Sequence, residues 1–158
     1  MNEAIWGFIG ALIGAGASIL TTLINSRNSV KLQLKLEKVR RENLAKDFQR
    51  DNLLVIQEKL YHHFRLTLRA VLERGSNNDS LLNEELADNL SYSLRELTCF
   101  IERVEQQDLR NQLTEIKNDL ATIPIAKSKD EGMDRLVTTS SQFDRTLQLL
   151  GQTLRATF

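Results

Sequence analysis

The sequence has neither a disulfide framework nor a surplus of one charge. Among its 158 residues there is a single cysteine, Cys99, and a single proline, Pro124. One cysteine cannot form an internal disulfide, which is typical of a reducing compartment. Lysine and arginine together number 21, as do aspartate and glutamate, so no net charge attracts the chain to a polyanion. We therefore expect no duplex nucleic acid as a partner.

Motifs for catalysis and for metal binding are also missing. The sequence contains no glycine-rich phosphate loop and no G-x-S-x-G motif, and no nucleophile and base stand at a spacing that would pair them. On a helix, the adjacent His62 and His63 point about 100° apart, so the two rings do not readily bind one metal ion. Cys99 lies on or beside a predicted core face, where a thiol is buried and inert. These observations predict a protein that is not an enzyme and has no catalytic residues, metal site or cofactor.

The longest uncharged stretch, AIWGFIGALIGAGASILTTLI, covers residues 4–24. At about 1.5 Å per residue, a helix of this length would cross the roughly 30 Å hydrocarbon core of a bilayer. Lysine and arginine crowd its carboxyl end and are absent from its amino end, and positive charges favour the cytoplasmic side. We expect a single-pass protein of the inner membrane, in contact with lipid, with the N-terminus out and a cytosolic C-terminal domain. A cleaved signal peptide is the alternative, but the first residues lack the positive charge that it requires.

Small residues fall close to one face of the predicted span. They are Gly7, Gly10, Ala11, Gly14 and Ser18. Small faces let helix backbones approach closely in lipid, where packing drives association. Since the chain has one predicted span, its packing partner must be another chain, and we predict a homo-oligomer. The alternative is that the spacing is accidental, because glycine and alanine are common in membrane helices.

A basic segment without glycine or proline follows at residues 27–43. Its cations are Arg27, Lys31, Lys35, Lys38, Arg40 and Arg41. Leu32, Leu34 and Leu36 alternate as in a strand, but the composition favours a helix that continues out of the membrane. The cations either fix the topology and attract anionic headgroups, or form a nucleotide or nucleic-acid site.

Residues 44–158 carry apolar stripes at the three- and four-residue spacing of helices. The stripes comprise Leu44, Phe48, Leu53, Ile56, Leu60, Phe64, Leu68 and Val71; Leu82, Leu86, Leu90, Leu94, Leu97, Ile101 and Val104; and Leu136, Phe143, Leu147, Leu150 and Leu154. After Val104 the phase slips and restarts at Leu109, so the second helix either bends or ends there. The predicted fold is all-α: an N-terminal transmembrane helix runs into a long helix of an antiparallel cytosolic bundle. That bundle has three helices, or four if the second one breaks, and the predicted domains are 1–26, 27–43 and 44–158.

A polar stripe on the first bundle helix is the candidate binding site. His62, Arg65 and Arg69 step by three and four residues along one face, and such a cationic row could hold a phosphate-bearing ligand. Glu58 and Glu73 stand four residues from His62 and Arg69, so an ordinary face of solvated ion pairs is the alternative.

The layout of an apolar, glycine-rich segment followed by the basic sequence KLEKVRREN and a helical domain resembles that of many small bacterial membrane proteins. Some proteins of that kind are antiphage-defence effectors, including membrane effectors switched on by cyclic oligonucleotides. From the apparent continuity of residues 4–74 and the small-residue face, we predict an oligomeric adaptor or effector that binds a cytosolic protein or a small signal such as a nucleotide and acts at the membrane. One alternative is a passive membrane-anchored scaffold for a cytosolic partner. Another is a protein similar to phage inner-membrane spanins, although their helical domain is periplasmic and the cations after this span favour the cytosol.

Overall fold

The chain is all-helical, as predicted. The computed structural model describes residues 2–74 and 82–156, without the side chains of residues 2–6, 8, 9, 11 and 12. Four α-helices occur within these ranges, and no strand does. They are α1 (Asn2–Glu73), α2 (Glu84–Ile101), α3 (Gln107–Thr122) and α4 (Lys129–Ala156), with a short 3₁₀ helix at Ile123–Ile125 before α4. The strand-like alternation at residues 32–36 is therefore helical, as its composition indicated.

The chain divides into two compact units, Met1–Ala45 and Lys46–Phe158. The first unit consists of the amino-terminal part of α1, and every side chain described in it is exposed. The second unit, called the helical unit below, contains the rest of α1 together with α2, α3, the 3₁₀ helix and α4.

The prediction of a single-pass membrane protein is wrong. In the part of the chain that the structure describes, no helix is long and apolar enough to cross a membrane. A span needs about 20 predominantly apolar residues, and between Ile13 and Ile24 glycine, serine and threonine interrupt the apolar side chains. Asn25, Ser26 and Arg27 follow directly. The predicted inner-membrane location and orientation depend on this span and are therefore wrong as well. The side chains of residues 4–6, 8, 9, 11 and 12 of the predicted span lie outside the described residues.

The helical unit buries one main apolar core to which all four helices contribute. Its members are Leu53, Ile56, Leu60, Val71, Leu97, Ile101, Val104, Leu109, Leu113, Ile116, Leu120, Ile123, Leu136, Phe143, Leu150 and Leu154. On α1 this core begins later than the sequence predicted: Leu44 and Phe48 are 59% and 53% exposed, whereas Leu53 is 2% exposed. From Leu53 onward most predicted stripe positions belong to this core, but Leu86 and Leu90 are buried in a separate small cluster with Ala70, and the first two positions are not part of the core.

The phase slip after Val104 marks a break between two helices. The chain leaves α2 at Ile101 and re-enters a helix at Gln107. Gln49 of α1 stabilises this turn from the side, because its Nε2 donates to the carbonyl oxygen of Arg103 at 3.0 Å and its Oε1 accepts from the backbone N–H of Glu105 at 3.2 Å. The apolar stripe therefore restarts because the helix does.

The beginning of α4 is fixed by polar contacts. The backbone N–H of Glu131 donates to Ser128 Oγ at 3.1 Å, as in a capping box, while Glu131 Oε2 accepts from the N–H of Lys127, one residue before the N-cap, at 2.8 Å. The hydrogen bond from Lys127 lowers the pKa of Glu131 below its usual value. Arg74 donates to the carbonyl oxygen of Ala126, so the end of α1 is held against the start of α4.

We expect the variant Gln49→Ala to lower the free energy of unfolding by about 1 kcal/mol, because it removes two hydrogen bonds that define the turn between α2 and α3. Urea unfolding followed by circular dichroism measures this change. Gln49→Glu keeps the acceptor for Glu105 but places a carboxylate oxygen against the carbonyl oxygen of Arg103, so it should lose at least as much stability as Gln49→Ala. Equal stability of the wild type and Gln49→Ala would show that Gln49 does not support the turn.

Candidate functional site

The first unit exposes an unusual number of large apolar side chains. Between residues 13 and 44 they are all more than half exposed. They are Ile13, Ile19, Leu20, Leu23, Ile24, Val30, Leu32, Leu34, Leu36, Val39 and Leu44. Large exposed apolar patches on proteins often mark interaction sites.

Some of these side chains form one continuous row, called the 20–44 seam. Its positions are Leu20, Leu23, Arg27, Val30, Leu34, Glu37, Arg41 and Leu44. The steps alternate strictly between three and four residues, which is the 3.5-residue period of a coiled coil. Five of the eight positions are apolar, and the three others are charged.

The charges of the seam and of the predicted basic segment are only partly paired. Glu37 Oε1 lies 3.0 Å from Arg41 Nε, one helical turn away, and Lys38 lies 3.9 Å from Glu42. Among the residues that the structure describes, the other four cations of that segment make no ion pair. These four are Arg27, Lys31, Lys35 and Arg40. Arg27 is therefore a charged seam position whose own helix provides no counter-ion.

The small residues predicted to pack lie on the same helix. Gly7, Gly10 and Gly14 are exposed, and a Cβ atom at any of them would meet nothing within 4 Å. Ser18 is also exposed, and its carbonyl oxygen accepts a hydrogen bond from Thr22 Oγ1 at 2.9 Å. The side chain of Ala11 lies outside the described residues. Helix packing at this face stays a prediction.

In the helical unit, the predicted cationic stripe borders a surface depression of about 450 Å³, called the 58–65 depression. It is lined by Glu58, Lys59, Tyr61, His62 and Arg65. The Tyr61 ring contacts the edge of the Phe143 ring on α4, with 5.4 Å between ring centroids. The structure thus places His62 and Arg65, two of the three predicted stripe residues, in one concave surface.

The cations around this depression differ in how they are neutralised. Lys59 Nζ lies 2.8 Å from Glu96 Oε2 on α2, and this hydrogen bond raises the pKa of Lys59 and lowers that of Glu96. Arg69 does not line the depression, and its Nε lies 2.5 Å from Glu73 Oε1.

Within the described residues, His62 and Arg65 make no hydrogen bond or ion pair, so they are the groups available to an anion. Glu58 shares the depression and partly offsets their charge.

Two residues differ from what the sequence indicated. Cys99 is exposed rather than buried, because Leu97 and Ile101 take the core face of α2 and Cys99 lies midway between them.

His63 is the functional candidate that sequence reasoning missed. Its side chain is 1% exposed, and neither ring nitrogen has a hydrogen-bond partner among the described residues. Burial, with a smaller effect of the His62 charge, lowers the pKa of His63 to about 4.

Comparison with known proteins finds no relative: no protein-family model, curated protein or solved structure matches the chain.

We expect the free energy of unfolding to fall by about 2 kcal/mol between pH 7 and pH 5, because His63 takes up a proton near pH 6.5 in the unfolded chain but only near pH 4 in the folded one. The unfolded state therefore binds more protons in this window, so acid favours unfolding. Urea unfolding at pH 7, 6 and 5 measures the slope, and His63→Leu should abolish most of it.

His62→Leu is the matched control, because it removes the neighbouring exposed ring and with it only the smaller of the two causes of the lowered His63 pKa. Glu96 and Glu131, whose pKa values are lowered from 4.5, add their own loss of stability only at lower pH. A slope that persists in His63→Leu would contradict the assignment to His63.

Proposed function

We propose that this protein is a homo-oligomeric helical adaptor that assembles through the 20–44 seam and binds an anionic group with its helical unit. In this proposal, residues 46–158 form an antiparallel four-helix bundle, and the bound group belongs to a partner protein or a small signal. The membrane-effector and spanin-like hypotheses depend on a membrane span that the described residues do not support. The proposal therefore retains the predicted homo-oligomer and its bound partner or signal, without the membrane span.

The observation that carries the proposal is the exposure of a heptad row. Leu20, Leu23 and Leu34 of the seam are 62%, 52% and 66% exposed. Burial of each such side chain contributes about 1.5–3 kcal/mol, whereas an isolated helix with exposed apolar residues is only marginally stable in water. A second helix with the same spacing would cover this row by knobs-into-holes packing.

The charges of the seam favour a second copy in antiparallel orientation. A parallel pair in register would place Arg27 opposite Arg27, Glu37 opposite Glu37 and Arg41 opposite Arg41, which is unfavourable in every case. An antiparallel pair with Leu20 opposite Leu44 places Arg27 opposite Glu37 at two symmetric positions.

The same register also places apolar side chains together. Val30 then lies opposite Leu34, again twice, because the interface has two-fold symmetry. Arg41 lies opposite Leu23, where its aliphatic stem can cover the leucine while the guanidinium stays with Glu37 of its own helix. In this antiparallel register, the seam of one copy is thus complementary to the seam of the other in both its charged and its apolar positions.

We expect Leu34→Glu to dissociate the oligomer, because it places a carboxylate in the middle of the apolar seam. Sedimentation equilibrium measures the dissociation constant, which should rise by at least about tenfold, the factor that corresponds to 1.4 kcal/mol. Leu32→Glu is the matched control: Leu32 is 59% exposed but lies on the far side of the helix from the seam. Equal effects of the two substitutions would contradict assembly through the seam.

A charge exchange distinguishes the two orientations. In an antiparallel pair, Arg27→Glu places two carboxylates opposite each other at both symmetric positions and weakens association, and adding Glu37→Arg restores most of it. In a parallel pair, neither variant changes the number of like-charge contacts in the seam. Equal association of the single and double variants would therefore overturn the antiparallel arrangement.

The anion-binding part of the proposal depends on Arg65 and His62. Both line the 58–65 depression without an ion-pair partner in the described chain, while Lys59 in the same wall is already neutralised by Glu96. An arginine fork donates two parallel hydrogen bonds to a phosphate or carboxylate, and the neighbouring imidazole can donate a third. Because Glu58 is adjacent, the bound group should also carry a hydrogen-bond donor or a flexible tail that avoids this carboxylate.

We expect Arg65→Gln to weaken the binding of inorganic pyrophosphate by about tenfold, because the group that would donate two charge-assisted hydrogen bonds is lost. Amide chemical-shift changes at residues 58–65 during a pyrophosphate titration measure the affinity. Arg145→Gln on α4 is the control, since it makes the same change of charge at an exposed position outside the depression. Shifts that do not saturate, or that are equally weakened by the control, would show that pyrophosphate binds only through general charge.

A further inference from the structure

The two flanks of the 20–44 seam carry different side chains. At the 3.5-residue period of the seam, one flank, called the lysine flank below, consists of Ile24, Lys31, Lys35 and Lys38. The corresponding positions on the other flank are Ser26, Gln33 and Arg40. All of these residues are exposed. The positive charge beside the seam is therefore concentrated on one side of the helix.

Most of the charge on the lysine flank is not neutralised by its own chain. Among the residues that the structure describes, Lys31 and Lys35 make no hydrogen bond or ion pair. Lys38 Nζ lies 3.9 Å from Glu42 Oε1, and both side chains remain more than half exposed, so this pair is weak. Lys31 and Lys35 are thus free cations at the centre of the flank.

The antiparallel pair proposed above brings the lysine flanks of both copies to one side of the dimer. Its two-fold axis is perpendicular to the plane of the two helices, so a feature on one side of that plane lies on the same side in the other copy. In the register with Leu20 opposite Leu44, Ile24 faces Lys38 across the flank, and Lys31 faces Lys31 beside the axis. Facing like charges weaken a pairing unless an anion binds next to them. The dimer therefore has one basic side that favours an anionic partner.

The side chains on this basic side indicate an extended lipid surface rather than a nucleic acid. Two helices side by side present the lysines on an exposed ridge, which suits a flat partner. Between residues 13 and 47 the chain has no aromatic side chain on which a base could stack. Ile24 is 58% exposed and, in the pair, stands at both ends of the row of lysines. An apolar side chain beside basic ones suits the boundary between lipid headgroups and acyl chains.

We propose that the lysine flank of the dimer binds the surface of a bilayer that contains anionic lipid, without crossing it. This inference rests on the seam pairing of the proposed function, and it adds a partner for the charge that the pairing leaves over. Lys31, Lys35 and Lys38 of each copy contact the anionic headgroups, and the two Ile24 side chains reach the acyl boundary. Each cation near such a surface strengthens binding by about fivefold. Two copies on one side therefore bind far more tightly than one copy alone.

Co-sedimentation of the full-length protein with vesicles tests this partner. At physiological ionic strength, the wild type should bind vesicles of equal parts phosphatidylserine and phosphatidylcholine and leave pure phosphatidylcholine vesicles unbound. Lys31→Gln should lower the partition coefficient by at least about tenfold, because each dimer loses two cations at the centre of the flank. Arg40→Gln is the matched control, since it removes an exposed cation without an ion pair from the opposite flank; its effect should be at most about twofold.

Ile24→Ser tests whether the partner is lipid, because it leaves the charge unchanged. It should weaken binding to the anionic vesicles by at least about fivefold, since an apolar side chain no longer leaves water. The binding of a labelled oligothymidylate measures the alternative partner. If the oligothymidylate binds with the same dependence on Lys31 while the vesicles stay unbound, the flank is a nucleic-acid site and the proposal is overturned.

Sedimentation equilibrium without vesicles separates this inference from the proposed function. Lys31→Gln should dimerise at least as tightly as the wild type, because it removes two facing cations. A wild type that stays monomeric would overturn the seam and, with it, the two-copy flank. A dimer that leaves anionic vesicles unbound would overturn the lipid partner alone. Equal losses of vesicle binding in Lys31→Gln and Arg40→Gln would also overturn it, because they would show attraction by general charge.

Discussion

The helical unit depends on burial of a single stripe of α1 by the apolar faces of α2, α3 and α4. Leu53, Ile56 and Leu60 are at most 2% exposed and belong to the same cluster as the apolar faces of the other helices. Polar contacts at the border of this stripe fix the alignment of α1 with α2. The side-chain amide of Asn52 donates to the carbonyl oxygen of Phe100 at 3.1 Å, and Lys59 pairs with Glu96. Burial therefore supplies most of the stability, and a few hydrogen bonds select the register.

The same helix carries a second apolar row that its own chain leaves uncovered within the described residues. In the 20–44 seam the apolar positions are more than half exposed. Both rows have helical spacing, but the seam keeps a strict 3.5-residue period and includes three charges. A charge in a seam costs stability unless a partner neutralises it, so charged positions select among partners and registers. In the proposed assembly, the three charges of the 20–44 seam would therefore favour one pairing and register over the others.

The sequence predicted the helices and most of the core, because periodicity shows which residues share a face. It could not predict what covers that face. Leu44 and Phe48 have the same spacing as Leu53, yet they are exposed because no other helix of the described chain reaches them. The length and lack of charge of residues 4–24 predict a membrane span, but the described helix is not apolar enough for one. For the candidate site, His62 and Arg65 were found from their spacing, but their separation from the paired Arg69 required coordinates.

His62 and His63 show how one helix can present two kinds of chemistry at adjacent positions. Successive residues of a helix point about 100° apart, so His62 faces the polar 58–65 depression while His63 enters the core. The first ring lines a solvent-exposed depression, whereas burial favours the neutral form of the second ring and leaves its nitrogens without a hydrogen-bond partner among the described residues. A leucine at position 63 would complete the apolar stripe without that cost. An imidazole at this buried position therefore makes the helical unit less stable in acid, because the unfolded chain takes up a proton on this ring more readily than the folded one does.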